Sequence, residues 1–247
     1  MTQTRQKPKG ERGKGGYDFI RNGIDDYPLP ARLVYNFVAA VLWLFSSIVW
    51  PTRFEGLDEL VDHVRERGTV IVMNHTSMVE PVVFIAGLWR RHVRVRPIYK
   101  VEFEKIGPAK WLFRRMGGIP VDRGSADLKA LKAARDALGR GECVLIYPEG
   151  TRIKNDDQSI KVHGGFAMIA QMGKSDVTPT AVVGAADPYK TRPTHRRKPR
   201  IRCGRPISFT ELDGTNRKEK LAEMERVAME RVYALRDELR HDYPGLW

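Results

Sequence analysis

The stretch that decides the fold reads Asn74-His75-Thr76-Ser77-Met78-Val79-Glu80-Pro81. It follows the apolar, β-branched run 69–73 (TVIVM), whose composition predicts a buried strand. It precedes the apolar run 82–89 (VVFIAGLW), which we interpret as a helix. A histidine and a carboxylate are therefore delivered together at the carboxyl end of a strand. In open α/β sheets, this is the edge at which ligands bind.

The spacing of His75 and Glu80 carries chemical information. Residues five apart on a regular helix point about 140° apart, so the two side chains would not share a helix face. On a turn whose helix begins near Ser77, the Glu80 carboxylate can instead reach one imidazole nitrogen of His75. This would hold the tautomer and leave the other nitrogen as a general base. The alternative is a surface histidine beside a glutamate that stabilises the first turn through the helix dipole.

Length and charge restrict the class of protein. A chain of 247 residues with 42% hydrophobic residues can bury one sizeable core, so one large domain is expected. The net charge of +13 indicates an anionic partner. Cys143 and Cys203 lie in strand-like runs without other metal ligands at suitable spacing. We therefore interpret both as packed thiols in a reducing compartment and expect no metal site.

The N-terminal part of the chain differs from the rest. Residues 1–30, basic at their start, are expected to be a disordered segment, and no secretory signal opens the chain. Residues 33–50 carry no charge but are slightly short of the ~20 residues that span a bilayer. Their tryptophans suit the membrane interface, so we predict a membrane-associated helix over 31–54, embedded in one leaflet. A spanning helix and a buried core helix are the alternatives.

Strands that alternate with helices over residues 55–247 predict one α/β domain, with a largely parallel sheet flanked by helices. Strands are predicted over 69–73, 93–99, 118–121, 143–147 and 177–183, and helices over 57–64, 82–89, 166–172 and 216–240. A further helix is predicted after Ser125, which would cap it. Pro97 is expected to limit the pairing of its strand.

Polar side chains follow four successive strands, in chain order His75 with Glu80, Lys100, Arg123, and Glu149 with Arg152. A general base near several cations suits deprotonation of a hydroxyl while a phosphate is held nearby. No Gly-x-Ser-x-Gly pattern indicates a covalent acyl-enzyme, and no P-loop pattern indicates nucleotide hydrolysis. The basic stretch 190–205 has eight Lys or Arg residues but no aromatic residue for base stacking, which argues against single-stranded nucleic acid.

Four blocks of the sequence together resemble the glycerolipid acyltransferases, a family that includes 1-acylglycerol-3-phosphate acyltransferase. In order, the blocks are 74–80 (NHTSMVE), 118–123 (GIPVDR), 147–152 (YPEGTR) and 177–180 (VTPT). Lys100 with Glu102-Phe103 is similar to the family's Lys-x-Glu-Leu segment. The resemblance covers roughly residues 55–210, and four blocks in register are specific although each is short.

The resemblance implies a role for each site residue. His75 would be the general base, oriented by Glu80. Arg123 with Lys100 would hold the acceptor phosphate. The acceptor-binding turn would consist of Glu149, Gly150, Thr151 and Arg152. Two departures bear on the acceptor: Glu80 stands where the family usually has Asp, and His163-Gly164 stands where it has Lys-Gly.

We therefore predict a membrane-associated O-acyltransferase in which His75 takes the proton of a glycerol-type hydroxyl as it attacks an acyl thioester. The resemblance implies 1-acylglycerol-3-phosphate as acceptor, giving phosphatidic acid. The donor would be acyl-CoA or acyl carrier protein, with no cofactor. The predicted location is the cytoplasmic face of the cell membrane, on an anionic surface and without nucleic acid.

Alternatives remain open at this level. Glycerol 3-phosphate, another lysophospholipid or a phosphatidylinositol mannoside are other acceptors. From a different class, the chain would be a non-catalytic protein that binds anionic membranes.

Overall fold

A seven-stranded sheet forms the centre of the computed structural model, which describes residues 12–13, 16–122, 127–185 and 198–246. A separate antiparallel pair joins β1 (Arg12–Gly13) to β2 (Gly16–Tyr17). The strands of the large sheet are β3 (Arg53–Glu55), β4 (Val70–Met73), β5 (Val95–Lys100), β6 (Ile119–Val121), β7 (Cys143–Ile146), β8 (Val177–Val183) and β9 (Arg200–Cys203).

The large sheet is mostly parallel. Its strand order is β3-β9-β8-β4-β7-β5-β6. All neighbours from β8 to β6 run parallel, β9 is antiparallel to β8, and β3 is parallel to β9. The predicted α/β class with a largely parallel sheet is confirmed.

Helices cover both faces of the sheet. They are α1 (Leu29–Val49), α2 (Leu57–Glu66), α3 (Val79–Arg90), α4 (Gly107–Arg115), α5 (Leu128–Gly139), α6 (Gly165–Gly173) and α7 (Arg217–Asp242). Helices α2 and α3 pack on one face, whereas α5, α6 and α7 pack on the other. Helix α1 lies against α3.

Strand β4 shows why its sequence is continuously apolar. Val70 and Val72 point into the core formed with α5, α6 and α7, and Ile71 and Met73 point into the core formed with α2 and α3. All four residues are fully buried. A parallel strand covered by helices on both faces has no side that faces water, so it needs apolar residues at every position.

Strand β5 is interior despite Pro97. Its first half, to Pro97, pairs with β7, and its second half, from Ile98 to Lys100, pairs with β6. Pairing with β7 ends at Pro97, in line with the expectation that Pro97 limits pairing, and the strand is interior because its two halves use different neighbours.

The start of α5 also differs from the prediction. The helix is capped by Asp127, whose carboxylate accepts hydrogen bonds from the N–H groups of Lys129 and Ala130 at 3.0 Å. Ser125, the predicted cap, lies outside the described residues. An Asp at this position satisfies two backbone donors of the first turn.

Residues 17–28 form a strap against the domain, which corrects the expectation of disorder over 1–30. Ile24 and Tyr27 are buried against Tyr35. The Arg96 guanidinium donates to the carbonyl groups of Phe19, Ile20 and Asn22. Residues 1–11 and 14–15 lie outside the described residues. The strap is ordered because a buried guanidinium satisfies its carbonyl groups.

A buried ion pair anchors this strap at the amino ends of β5 and β7. Arg96 Nε lies 2.8 Å from Glu142 Oε2, and Arg96 is completely buried. The other oxygen of Glu142 accepts the Ile24 N–H at 2.7 Å. Arg140 adds a second cation at 2.9 Å. The strap, α5 and the sheet are therefore joined through one carboxylate.

Helix α1 carries the apolar run, although its bounds differ from the predicted 31–54, since residues 53–55 form β3. It is long and apolar enough to cross a membrane by length and composition. Many of its large side chains are about half exposed or more: Leu29, Leu33, Phe37, Val41, Leu44, Phe45 and Ile48. This exposure contradicts the buried core helix, and it is typical of a helix that faces lipid.

Much of the basic stretch 190–205 lies outside the described residues, which resume at Lys198. Arg200–Cys203 forms β9. Within it, Arg202 forms ion pairs with Glu55 and Asp242, both at 2.6 Å. This cation is therefore engaged within the fold.

Candidate active site

The candidate site begins where β4 ends, at Asn74. Its buried side-chain amide donates to the Val182 carbonyl at 2.9 Å, and its oxygen accepts the Val182 N–H at 2.8 Å. These two hydrogen bonds extend the pairing of β4 with β8 by one more residue. They do so through the Asn74 side chain, because Asn74 itself lies just after the end of the strand. The direction in which the loop leaves the sheet is thereby fixed.

His75 and Glu80 form the contact that their spacing predicts. His75 Nδ1 lies 2.6 Å from Glu80 Oε1. Glu80 is completely buried in the first turn of α3, whereas the His75 side chain is 17% exposed. The hydrogen-bond network assigns the proton on Nδ1 to a bond with Glu80, which leaves Nε2 as the nitrogen with a free lone pair.

Glu80 is itself held by its own turn. Its carboxylate accepts hydrogen bonds from the Thr76 N–H at 2.9 Å, the Ser77 N–H at 2.8 Å and the Ser77 hydroxyl at 2.5 Å. Since the carboxylate has this many donors, it stays in one rotamer, with one oxygen against the imidazole. A surface histidine beside a solvated glutamate, the alternative reading of the motif, does not describe this geometry.

The turn after β7 packs directly on the histidine. The Tyr147 ring lies 4.4 Å from the His75 ring, tilted by 31°. The Ile153 N–H donates to the His75 carbonyl at 2.7 Å. Burial, together with the charges of Glu80 and Glu149, raises the pKa of Tyr147, so this phenol is a neutral wall of the site.

Glu149 faces inward, toward the backbone of His75. Its Oε2 accepts the His75 N–H at 2.6 Å, and its Oε1 accepts the Tyr233 hydroxyl at 3.2 Å. Burial raises the pKa of Glu149 from its usual 4.5 to about 7, although the hydrogen bonds from His75 and Tyr233 oppose the shift. One carboxylate therefore links the histidine loop to α7.

Tyr233 is the site residue that the sequence analysis misses. It lies on α7, 84 residues from Glu149. The sequence predicts a helix over 216–240, and no local pattern marks one of its tyrosines as part of a site. Tyr147 and Asn74 lie inside recognised blocks, but their contacts are also visible only in the fold.

The remaining predicted residues lie around this centre. Gly150 adopts a left-handed conformation at φ 67°, which a side chain would strain, and its N–H donates to the Tyr147 carbonyl at 3.0 Å. Thr151 is exposed and Arg152 is partly exposed. Lys100 is exposed at the end of β5, two strands from β4. At the usual spacing between strands, β5 lies roughly 10 Å from β4. Arg123 lies outside the described residues.

A groove of about 460 Å³ opens beside the turn, on the α5 and α6 side of the sheet. Its lining is largely apolar and includes Leu128, Leu131, Ile146, Phe166 and Ile169. It extends to Tyr147, Pro148 and Gly150, next to the histidine. His163, the residue in place of the family's lysine, lies on its wall. Its volume is in the range of small-molecule sites, roughly 300–1,000 Å³.

Within the described residues, no group of three or more His, Cys, Asp or Glu side chains is arranged to hold a metal ion. Cys143 and Cys203 are both buried and unpaired to each other. Burial raises the pKa of both thiols to about 12, so neither is a thiolate at neutral pH.

Comparisons with known proteins find relatives of this chain. Residues 52–183 match the model of the family described as Acyltransferase. A 1-acyl-sn-glycerol-3-phosphate acyltransferase of Bacillus subtilis (strain 168) is 26% identical over 209 residues, which are 83% of this chain and 98% of that protein. The enzyme of that name from Streptococcus pneumoniae (strain ATCC BAA-255 / R6) is 30% identical over 155 residues, 62% of this chain and 55% of that protein.

A solved structure shares the fold. The crystal structure of the 1-acyl-sn-glycerophosphate (LPA) acyltransferase PlsC from Thermotoga maritima aligns with a TM-score of 0.55 and 21% identity, over 83% of this chain and 82% of that one. The family match covers more than half of the chain and includes β4, the His75 loop and the turn after β7. This protein therefore belongs to the acyltransferase family.

Proposed function

We propose that this acyltransferase transfers a fatty-acyl group from a thioester to the free hydroxyl of 1-acylglycerol-3-phosphate and so forms phosphatidic acid. The observation that carries the proposal is the 2.6 Å contact between His75 Nδ1 and the buried Glu80. The curated relatives named above are enzymes of that acceptor, which supports the choice of substrate.

His75 Nε2 accepts the hydroxyl proton as the acceptor oxygen attacks the thioester carbonyl. The oxyanion of the tetrahedral intermediate collapses, the carbon–sulfur bond breaks, and the thiolate takes the proton from the imidazolium. Glu80 stabilises the imidazolium charge while it exists, since its carboxylate already accepts the Nδ1–H. The reaction needs no covalent acyl-enzyme and no cofactor beyond the donor, acyl-CoA or an acyl carrier protein.

Lys100, Arg123 and Arg152 bind the acceptor phosphate in this proposal. A phosphate monoester carries nearly two negative charges at neutral pH, and each charge-assisted contact to it is worth ~1.5–3 kcal/mol. Thr151, which is exposed, completes the acceptor-binding turn together with Gly150. Glu149 acts in the same turn by holding the His75 backbone, since both of its oxygens accept hydrogen bonds from within the fold.

The apolar groove beside Tyr147 is the proposed site of an acyl chain. Its walls are the side chains of β7, α5 and α6, and it ends next to the residues that flank the histidine. Helix α1 holds the enzyme on an anionic membrane, at the cytoplasmic face, where lysophospholipid acceptors are dissolved. This location is supported by the exposed apolar side chains of α1 and by the net charge of +13.

The test is an assay with labelled acyl-CoA and a panel of acceptors. We expect turnover with 1-acylglycerol-3-phosphate to exceed that with glycerol 3-phosphate, with lysophosphatidylcholine and with monoacylglycerol. The Arg123→Ala variant should raise the acceptor KM by roughly 10-fold and leave the acyl-CoA KM unchanged. Arg135→Ala is the matched control, because Arg135 pairs with Asp136 on the surface of α5. A preference for monoacylglycerol, or an unchanged KM, would refute the phosphate assignment.

A further inference from the structure

Helix α4 is the only α-helix of the described chain that has no buried residue. None of its residues is buried, yet it carries large apolar side chains. Trp111 is 46% exposed and Leu112 36% exposed, and Ile106, just before the helix, is 55% exposed. Exposed aromatic and aliphatic side chains that cluster on one element usually mark an interaction surface.

This helix is a neighbour of α1, whose own outer side is apolar. The two helices contact each other. On α1, the exposed residues recur every three or four positions, as in Leu33, Phe37, Val41 and Leu44. The exposed apolar side chains of α1 and α4 are therefore carried by neighbouring helices.

A cationic pocket lies between α4 and the strap. It has a volume of about 360 Å³ and is lined by Tyr17, Phe19, Gly107, Lys110, Trp111, Arg114 and Arg115. No acidic residue is among these lining residues. Aromatic rings and three cations therefore face one concave space beside an exposed tryptophan.

The cations in this pocket are not equally engaged. Arg114 forms a two-pronged ion pair with Glu104, with distances of 2.7 and 2.8 Å. Arg115 instead lies over two rings, 4.5 Å from the centre of Trp111 and 5.2 Å from that of Phe19. Among the described residues, no carboxylate forms an ion pair with Arg115 or Lys110. The two rings hold Arg115 in place. The hydrogen bond from Arg114 lowers the pKa of the Glu104 carboxyl, and Lys110 lies near enough to lower it further without forming an ion pair with it.

We propose that this pocket binds the phosphate headgroup of an anionic phospholipid in the bilayer, while Trp111 and Leu112 enter the same leaflet as the outer side of α1. A tryptophan at headgroup depth with lysine and arginine beside it fits the polar boundary of a membrane. The positive charges of Lys110 and Arg115 favour a phosphate as the ligand. The exposed Trp111 and Leu112 beside them indicate that this phosphate belongs to a membrane lipid. The site shares no lining residue with the groove at His75 and does not depend on the proposed reaction.

The test measures binding of the full chain to two kinds of vesicle, phosphatidylcholine alone and an equal mixture of phosphatidylcholine and phosphatidylglycerol. The double variant Lys110→Gln with Arg115→Gln should weaken binding to the mixed vesicles by about 25-fold, about fivefold for each cation. Binding to phosphatidylcholine alone should change little. Trp111→Ala should weaken binding to both kinds of vesicle, because it removes apolar contact rather than charge.

A matched control removes the same charge elsewhere. Lys132 on α5 and Arg231 on α7 are exposed on the opposite face of the sheet, and the double variant Lys132→Gln with Arg231→Gln should bind almost as the parent does. His75→Ala should bind vesicles normally, so failure of the reaction and failure of this site are distinguishable. If the Arg115 change lowers the unfolding temperature, Lys110→Gln alone repeats the test with a fivefold expectation. Equal losses in the two double variants, or no loss in either, would overturn the proposal.

Discussion

Two buried glutamates flank the same strand, and their surroundings are opposite. Glu142 precedes β7 and Glu149 follows it, and both are almost completely buried. Burial alone would raise the pKa of either group, but Arg96 and Arg140 overcome it at Glu142 and lower the pKa. At Glu149 burial prevails and the pKa rises to about 7.

The difference separates the end of the sheet that stabilises the fold from the end that carries the candidate site. At the amino end, Glu142 and Arg96 neutralise each other and satisfy the strap. At the carboxyl end, the hydrogen bonds that Glu149 accepts within the described residues come from the neutral His75 N–H and the Tyr233 hydroxyl. Among the described residues, no cation forms an ion pair with Glu149, although the positive charge of Arg236 opposes the rise that burial causes in its pKa.

The largest expected effect comes from removing the base at the carboxyl end. His75→Ala should lower acyl transfer by ~10²–10⁴-fold, because a positioned general base is lost. The measurement is the initial rate with labelled acyl-CoA, together with the unfolding temperature, which should stay close to that of the parent. His241→Ala, an exposed histidine at the end of α7, is the control and should keep full activity. Near-normal turnover of His75→Ala would rule out the mechanism.

A change at the amino end of the sheet should instead lower the stability of the protein. Arg96→Met leaves Glu142 buried without its main cation, and it leaves the strap carbonyls without a donor. We expect the free energy of unfolding to fall by ~3–5 kcal/mol. Urea unfolding measures this loss. Arg135→Met, which breaks an exposed pair, should change the same quantity by less than ~1 kcal/mol. Similar values for the two variants would show that the Arg96 pair has no structural role.

The pH dependence of stability should have opposite signs at the two glutamates. The folded pKa of Glu149 lies above its unfolded value of 4.5, so the folded state binds more protons between pH 4.5 and about 7. Its contribution to stability is therefore largest at acid pH and falls by about 3 kcal/mol as pH rises through that window. The folded pKa of Glu142 is lowered, so its contribution is present at neutral pH and disappears as pH falls.

Unfolding of Glu149→Gln and Glu142→Gln against pH measures this contrast. Relative to the parent, Glu149→Gln should gain stability as pH rises from 4.5 to 7. Glu142→Gln should be less stable than the parent at neutral pH and approach it in acid. Two variants whose curves run parallel to that of the parent would contradict the assigned pKa directions.

The smallest effect is expected for a change of Tyr233, which tests whether Glu149 positions His75. Tyr233→Phe removes one hydrogen bond to the carboxylate, worth about 1 kcal/mol, so kcat should fall up to about fivefold. The acceptor KM should not change. Because this bond lowers the pKa of Glu149, the pH profile of kcat should also move to higher pH. Tyr243, just after the end of α7, donates a comparable bond to Glu55, and Tyr243→Phe should leave the profile in place. If the pH profile of kcat does not move in Tyr233→Phe, Tyr233 contributes only packing.

The sequence alone was sufficient for features that depend on neighbouring residues. The apolar run before Asn74 predicts the buried strand, because every position of a strand between two helical layers must be apolar. The five-residue separation of His75 and Glu80 allows their contact as soon as a tight turn enters a helix. The run over 33–50 predicts an apolar helix, and the exposed side chains of α1 agree with its membrane-facing interpretation.

Only the tertiary structure decided the contacts between distant segments. Tyr233 reaches Glu149 from 84 residues away, and Arg96 reaches the carbonyl groups of the strap from 74 to 77 residues away. Neither contact has a local signature, because a tyrosine on an amphipathic helix and an arginine in a strand look alike whether they face solvent or a buried partner. The strap therefore looked disordered in sequence. Its order depends on a guanidinium whose burial is created by the packing of the whole sheet.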